Sequence, residues 1–256
     1  MAFAYGDVIA HKIVELIQAG KLKPRDPVYP TRFHDEDLLE REASYGRSGF
    51  ALQFMLDTRL SDADKYPLKL SDLIVSSFDY FTAPERLIWS GDPMYKHKDI
   101  HCVGLNGDRY LRPAAMVGDW LPFEGSVMAV DPSGRGKDET TWAVVKMLNG
   151  FLYVTEAGGM QGGYDENVMT RLVSIAKRQK VNYMIVEGNF GDGMFTKLMH
   201  PYLKKGQYDV TIEEVKHTKQ KELRIIDTLE PVMNQHRLVI TDEVIRKDAE
   251  STKHYP

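Results

Sequence analysis

Two short apolar runs, each ending in an acidic residue, constrain the fold of this 256-residue chain most strongly. The first covers residues 126–131 and ends at Asp131, and the second covers residues 183–187 and ends at Glu187. Runs of this length that are followed by Gly-rich segments are typical of buried strands. They predict a sheet in which two strands carry an acid at the carboxyl end.

The remaining elements indicate a mixed sheet flanked by helices. Residues 141–147 form another apolar run, and the Asn149-Gly150 pair predicts a tight hairpin that returns through residues 151–156. The later elements are, in order, a helix after Asp165, the strand 183–187, a helix near 194–203, a strand near 208–215 and a helix over 220–234. We expect the first three strands to be antiparallel and the later strands, which are joined through helices, to be parallel.

The first 125 residues show a different pattern. Apolar periodicity predicts helices over residues 7–19, 31–46 and 50–56, whereas residues 67–125 contain brief apolar stretches and frequent turn signals. We therefore divide the chain into a helical and irregular region, residues 1–125, and an α/β domain, residues 126–256. The whole has the 43% hydrophobic and 27% charged content of an ordinary globular protein.

Several classes of protein are disfavoured by composition. There is no apolar run long enough to predict a membrane span, and the amino terminus lacks the pattern of a secretory signal. The single cysteine, Cys102, excludes an internal disulfide and a cysteine-based zinc cluster. The net charge is −4, but residues 171–224 contain eleven Lys and Arg against six Asp and Glu, and such a local excess favours contact with a polyanion.

Asp131 and Glu187 are the candidate catalytic and metal-binding residues. If their strands are parallel neighbours, the two carboxylates converge, and carboxylates that converge repel each other unless a proton or a cation lies between them. Oxygen ligands of this kind suit Mg²⁺ or Mn²⁺, and a pair of such ions supports phosphodiester cleavage. An acid at the start of a turn also has a purely structural explanation, which applies to either residue taken alone.

The Gly-rich segment after Asp131 does not match the nucleotide-binding P-loop. That motif requires glycine and then serine or threonine at the positions that Asp131 and Asp138 occupy here. We expect the segment instead to approach phosphate through its glycines, with Arg135 and Lys137 as DNA-binding candidates.

Two further segments carry candidate residues. In the loop 187–193, Asn189 and Asp192 are placed to orient Glu187 or a metal-bound water, and Asp192 is a further candidate metal ligand, although both also suit a turn. Near residue 220, Lys219 and Lys221 are candidates for contact with DNA phosphates, or for a solvated helix terminus.

Three segments together resemble the nuclease domain of the large terminase subunits of tailed bacteriophages, most closely those of the short-tailed type. They are Val-Met-Ala-Val-Asp-Pro-Ser-Gly-Arg-Gly-Lys-Asp-Glu-Thr from Val127, Met-Ile-Val-Glu-Gly-Asn-Phe-Gly-Asp-Gly from Met184, and Lys-Gln-Lys-Glu-Leu-Arg-Ile from Lys219. Upstream, the segments beginning at Phe33 and Phe50 resemble the connection between the ATPase and nuclease domains of that family.

The resemblance implies an RNase H-like fold and metal-dependent endonuclease activity with two ions in the complete site. It assigns Asp131 and Glu187 to the first two metal-binding acids, and it implies cutting of concatemeric double-stranded DNA when packaging begins and ends. The implied partners are a small terminase subunit, a portal protein, a procapsid and the ATPase domain of the same protein. The implied location of this protein is the host cytoplasm and, transiently, the portal of the procapsid. The ATPase domain and the family's third acid are not found in the sequence, so we expect a nuclease domain without its carboxyl-terminal part.

Two other interpretations compete with a nuclease. A docking module that binds DNA or the portal without cutting is favoured by an incomplete set of acids. An actin-like phosphotransferase also pairs a strand-end Asp with a Gly-rich hairpin, but it requires a second Gly-rich phosphate loop on a later sheet, and the sequence has none.

Overall fold

The computed structural model describes residues 37–38, 40–44, 50, 67–102, 104, 108–133, 138–188, 193–216 and 220–251. The chain forms two compact units, Met1–Leu68 with Lys221–Gln235, and Lys69–Gln220 with His236–Pro256. Within the first unit, residues 37–38 and 40–44 are helical, as the sequence predicts. The predicted helix 7–19 lies outside the described residues, as does most of the predicted helix 50–56.

The second unit is built around a sheet of seven described strands. In spatial order they are β1 (Ile74–Ser76), β9 (Leu238–Thr241), β6 (Phe151–Gln161), β5 (Glu139–Leu148), β4 (Gly125–Asp131), β7 (Tyr183–Glu187) and β8 (Thr211–Val215). A separate antiparallel pair is formed by β2 (Thr82–Ile88) and β3 (Ala115–Pro122). The described helices of eight or more residues in this unit are α1 (Glu166–Arg178), α2 (Met194–Gly206) and α4 (Asp242–Ser251), whereas α3 (Lys221–Asn234) belongs to the first unit.

The strand directions confirm the predicted α/β fold with a mixed sheet. Strands β4, β5 and β6 form an antiparallel meander, β7 and β8 are added in parallel beyond β4, and β9 and β1 are added in parallel beyond β6. Asn149 and Gly150 form the tight turn between β5 and β6, with φ of 49° and 76°. Positive φ at both positions is what the Asn-Gly pair predicts.

The main core lies between one face of the sheet and helices α1 and α2. In α1, Val168, Leu172, Ile175 and Ala176 are fully buried, which confirms the face predicted from their spacing. They pack in one cluster with Met128 and Val130 of β4, Met184 and Val186 of β7, and Phe195, Met199 and Leu203 of α2. Alternate residues of β4 and β7 thus fix these two strands against the helices.

Two regions differ from the prediction. Residues 69–122, expected to be irregular, contain β1, β2 and β3, and β1 joins the main sheet. These strands are hard to recognise because β1 has three residues, β2 contains Pro84, and β3 contains Gly118 at a φ of 81°. Strand β9 and helix α4 extend the domain beyond the last predicted helix. None of the described helices is long and apolar enough to cross a membrane.

Candidate metal centre

Asp131 and Glu187 end two neighbouring parallel strands. The register pairs Val130 of β4 with Val186 of β7, so that the next residue on each strand is an acid. Adjacent strands lie about 4.8 Å apart. The two acids therefore lie side by side at the carboxyl edge of the sheet. This is the arrangement that the sequence predicts for strands that are parallel neighbours.

Both acidic side chains are on the same face of the sheet. Side chains alternate between faces along a strand, and Val130 and Val186 are buried against the helices. Asp131 and Glu187 consequently point to the opposite face, and each is half-buried. Two hard carboxylates in this arrangement match the oxygen ligands that Mg²⁺ and Mn²⁺ prefer. The donor set therefore fits a divalent cation.

The segment that follows Asp131 is anchored at its base by a buried threonine. Thr140 on β5 is fully buried, and its hydroxyl oxygen accepts the backbone N–H of Ser133 at 3.0 Å. The same hydroxyl donates to the carbonyl of Gly162 at 2.9 Å. This pair of bonds holds the residues after Asp131 to β5 and to the end of β6, and so fixes where β4 ends.

The segment that follows Glu187 is anchored by β8. The N–H of Gly188 donates to the carbonyl of Val215 at 2.8 Å. The carboxylate of Glu214 accepts the N–H of Gly193 at 2.8 Å, the N–H of Thr196 at 3.0 Å and the Thr196 hydroxyl at 2.7 Å. Both ends of the loop after Glu187 are thus bound to consecutive residues of one strand.

A third acid on the face of Asp131 was missed in the sequence analysis. Asp131 pairs with Thr141 on β5, and Glu139 lies two residues before Thr141 on the same strand, so all three share a face. The Glu139 carboxylate lies over Gly159 of β6, where an added Cβ would clash with its Oε2. The period of two along β5 is the signal that could have identified Glu139.

The other predicted site residues are distributed differently. Arg135, Lys137, Asp192 and Lys219 lie outside the described residues, so their roles stay predictions. Lys221 is exposed at the first position of α3, in the other compact unit.

Asp242 does not lie beside the two strand-end acids. The structure places it at the start of α4, where its Oδ1 accepts the Ser77 hydroxyl at 2.8 Å and its Oδ2 lies 3.6 Å from Arg246 Nε. Strand β9, which leads to it, is separated from β4 by β6 and β5. Asp242 therefore belongs to a contact between α4 and Ser77, the residue that follows β1. Among the residues that the structure describes, no group of three or more His, Cys, Asp or Glu is close enough to hold a metal ion.

Comparison with known proteins finds a family match for most of the α/β domain. Residues 130–238 match the family described as the ribonuclease H-like domain of the bacteriophage T7 terminase. These residues are therefore similar to a terminase RNase H-like domain. The match begins one residue before Asp131 and includes Glu187, so both strand-end acids lie within the matched region.

An individual relative and solved structures that are similar to this chain are terminases. The chain is 43% identical over 250 residues to the large terminase subunit of Enterobacteria phage T3, covering 97% of this chain and 42% of that protein. It thus spans about two fifths of the length of this curated relative. Among solved structures, the human cytomegalovirus terminase nuclease domain (Mn soaked, inhibitor bound) has a TM-score of 0.38 at 11% identity, over 52% of this chain and 75% of that one. The large terminase nuclease of the thermophilic phage G20c has a TM-score of 0.38 at 12% identity, over 68% and 72%.

Proposed function

We propose that this chain is the metal-dependent nuclease region of a viral DNA-packaging terminase. It cuts concatemeric double-stranded DNA when packaging of a genome begins and when it ends. The observation that carries the proposal is the placement of Asp131 and Glu187 side by side on parallel strands, within a region of the terminase RNase H-like family. The phage T3 relative supports the packaging role.

Asp131 and Glu187 would hold Mg²⁺ or Mn²⁺, with two ions in the complete site. When bound, such ions polarise the phosphodiester and favour ionisation of an attacking water. The residues themselves set the position and charge of the site. Their strands are held rigidly by the buried residues on the other face, which keeps the two carboxylates in one geometry. Asp192 is a further candidate ligand.

The DNA contacts are assigned to basic residues that follow each of the two acids along the chain. Arg135 and Lys137 follow Asp131, and Lys219 and Lys221 follow β8. Their charges would neutralise backbone phosphates without reading sequence, which suits cleavage that is largely independent of sequence. The remaining partners are the ATPase domain, the small terminase subunit, the portal and the procapsid. The protein acts on them in the host cytoplasm.

The decisive experiment is plasmid nicking in Mg²⁺, Mn²⁺ or EDTA with matched variants. Asp131→Asn and Glu187→Gln keep side-chain shape but remove the charge that offsets the cation, so we expect cleavage to fall about 100-fold or more. Asp209→Asn, an exposed acid between α2 and β8, is the control and should cut as the wild type does.

Three results would reject the nuclease assignment. They are cleavage that persists in EDTA, wild-type nicking by Glu187→Gln, and DNA binding without any metal-dependent cutting. The last result would favour the docking module.

A further inference from the structure

The amino terminus of α2 is capped by a side chain from another element. The residue at its N-cap position is Gly193, which has a φ of 75° and no side chain with which to accept the first N–H groups of the helix. Glu214 of β8 supplies the missing acceptor, with its two oxygens taking three hydrogen bonds from Gly193 and Thr196. A carboxylate at this end of a helix is also stabilised by the helix dipole.

The position of Glu214 links this cap to Glu187. The register pairs Val186 with Glu214 and Glu187 with Val215, so Glu214 lies beside the strand that ends in the candidate metal ligand. Its side chain is on the helix-facing side of the sheet, opposite to that of Glu187. The neighbouring Val215 carbonyl binds the N–H of Gly188, which belongs to the peptide bond that Glu187 forms with its successor.

We infer that Glu214 is a positioning residue for Glu187, an inference that rests on the proposed function. The carboxylate of Glu214 holds the start of α2 at the end of β8, and Val215 holds the end of β7 at the same place. Together they fix the two ends of the segment that follows Glu187. Loss of the Glu214 carboxylate would leave the N–H groups of Gly193 and Thr196 without this acceptor and would release one end of that segment. The Glu187 carboxylate would then be held less rigidly for a cation.

Mn²⁺ affinity, measured by the free-ion electron paramagnetic resonance signal, tests the inference without relying on activity. We expect the Kd for Mn²⁺ to rise about 10-fold in Glu214→Ala, the lower end of the range for residues that orient a ligand indirectly. Amide hydrogen exchange at Gly193 and Thr196 should accelerate in the same variant. Thr196→Val removes one of the three donors and keeps the charge, so it should raise the Kd about 2- to 3-fold while leaving the fold intact.

Two matched variants separate positioning from charge. Glu214→Gln is neutral but keeps an oxygen that can accept from Thr196, so it should retain part of the affinity that Glu214→Ala loses. Glu166→Gln removes an exposed acid in the first turn of α1, where it contacts Lys205, and should bind Mn²⁺ as the wild type does. Equal losses in Glu214→Gln, Glu214→Ala and Glu166→Gln would assign the effect to charge alone and overturn the inference.

The outcomes also distinguish this inference from the proposed function. If Glu187→Gln abolishes Mn²⁺ binding while Glu214→Ala and Thr196→Val bind it normally, the metal centre stands and the positioning role of Glu214 is rejected. If Glu187→Gln leaves Mn²⁺ binding unchanged, Glu187 is not a ligand, and both proposals fail.

Discussion

Lys146 of β5 is a buried lysine that does not belong to the candidate metal centre. Its pKa predicts how the free energy of unfolding depends on pH. Only 2% of its surface is exposed. Its ammonium group donates a hydrogen bond to the carbonyl of Tyr80 and lies 5.3 Å from the centre of the Phe123 ring. Burial lowers the pKa of Lys146 from 10.5 to about 8; Asp79 opposes this change and Lys180 adds to it.

The sign of the resulting pH dependence follows from proton counting. Between pH 8 and pH 10.5 the unfolded chain keeps the Lys146 proton while the folded chain loses it. The free energy of unfolding therefore rises with pH across this window, by at most about 1.4 kcal/mol per pH unit. Below pH 8 both states are protonated, and the cost of the buried charge is constant. From pH 8 to pH 9.5 the contribution of Lys146 should amount to about 1–2 kcal/mol.

Lys146→Met removes the ammonium group and keeps an unbranched apolar side chain in the same space. The assay is urea unfolding at pH 7 to 9.5, followed by tryptophan fluorescence, because all three tryptophans lie in the same compact unit as Lys146. The free energy of unfolding of the wild type, relative to that of the variant, should rise by about 1–2 kcal/mol from pH 8 to pH 9.5. Buried Tyr153, whose pKa burial raises to about 12, has the opposite effect only above pH 10, outside the measured range. Parallel stability curves for the two proteins would refute the reasoning.

Two further predictions concern DNA binding and packing. Combining Lys219→Ala with Lys221→Ala should weaken DNA binding equally for all sequences. The slope of log binding constant against log salt concentration should become less steep by up to about one unit for each phosphate that the variant no longer neutralises. An unchanged slope would place both lysines in solvent. Gly158→Ala should destabilise the fold by about 1–3 kcal/mol, because the added Cβ would lie 2.9 Å from the Trp142 ring. Thermal unfolding measures this destabilisation, and a melting temperature equal to that of the wild type would contradict the close packing.

The central part of the sheet could be predicted because its signals are local. The apolar runs of β4 and β7 end in acids, and the Asn149-Gly150 turn fixes the hairpin between β5 and β6. Strands β1 and β9 could not be predicted in this way. They have three and four residues, and they pair across a separation of about 165 positions, so nothing local marks them as partners.

The candidate site was predictable to a similar extent. The acids of β4 and β7 were recognisable as strand-end residues, and their convergence depended only on the order of the strands. Glu139 could have been placed on the same face by counting alternate residues back from Thr141. The cap that Glu214 provides could not have been recognised, because Glu214 and Gly193 are 21 residues apart and Gly193 offers no capping side chain.

The packing of the core and the proposed chemistry involve alternate residues of the same two strands, β4 and β7. Met128, Val130, Met184 and Val186 face the helices and are almost completely buried, so their substitution would disturb the core. The strand-end acids lie on the opposite face and are only half-buried. Neutral isosteres at those two positions should therefore leave the packing between the sheet and the helices intact. A loss of cleavage or of Mn²⁺ binding in such variants can then be attributed to the site itself, because the packing that holds both strands does not depend on either carboxylate.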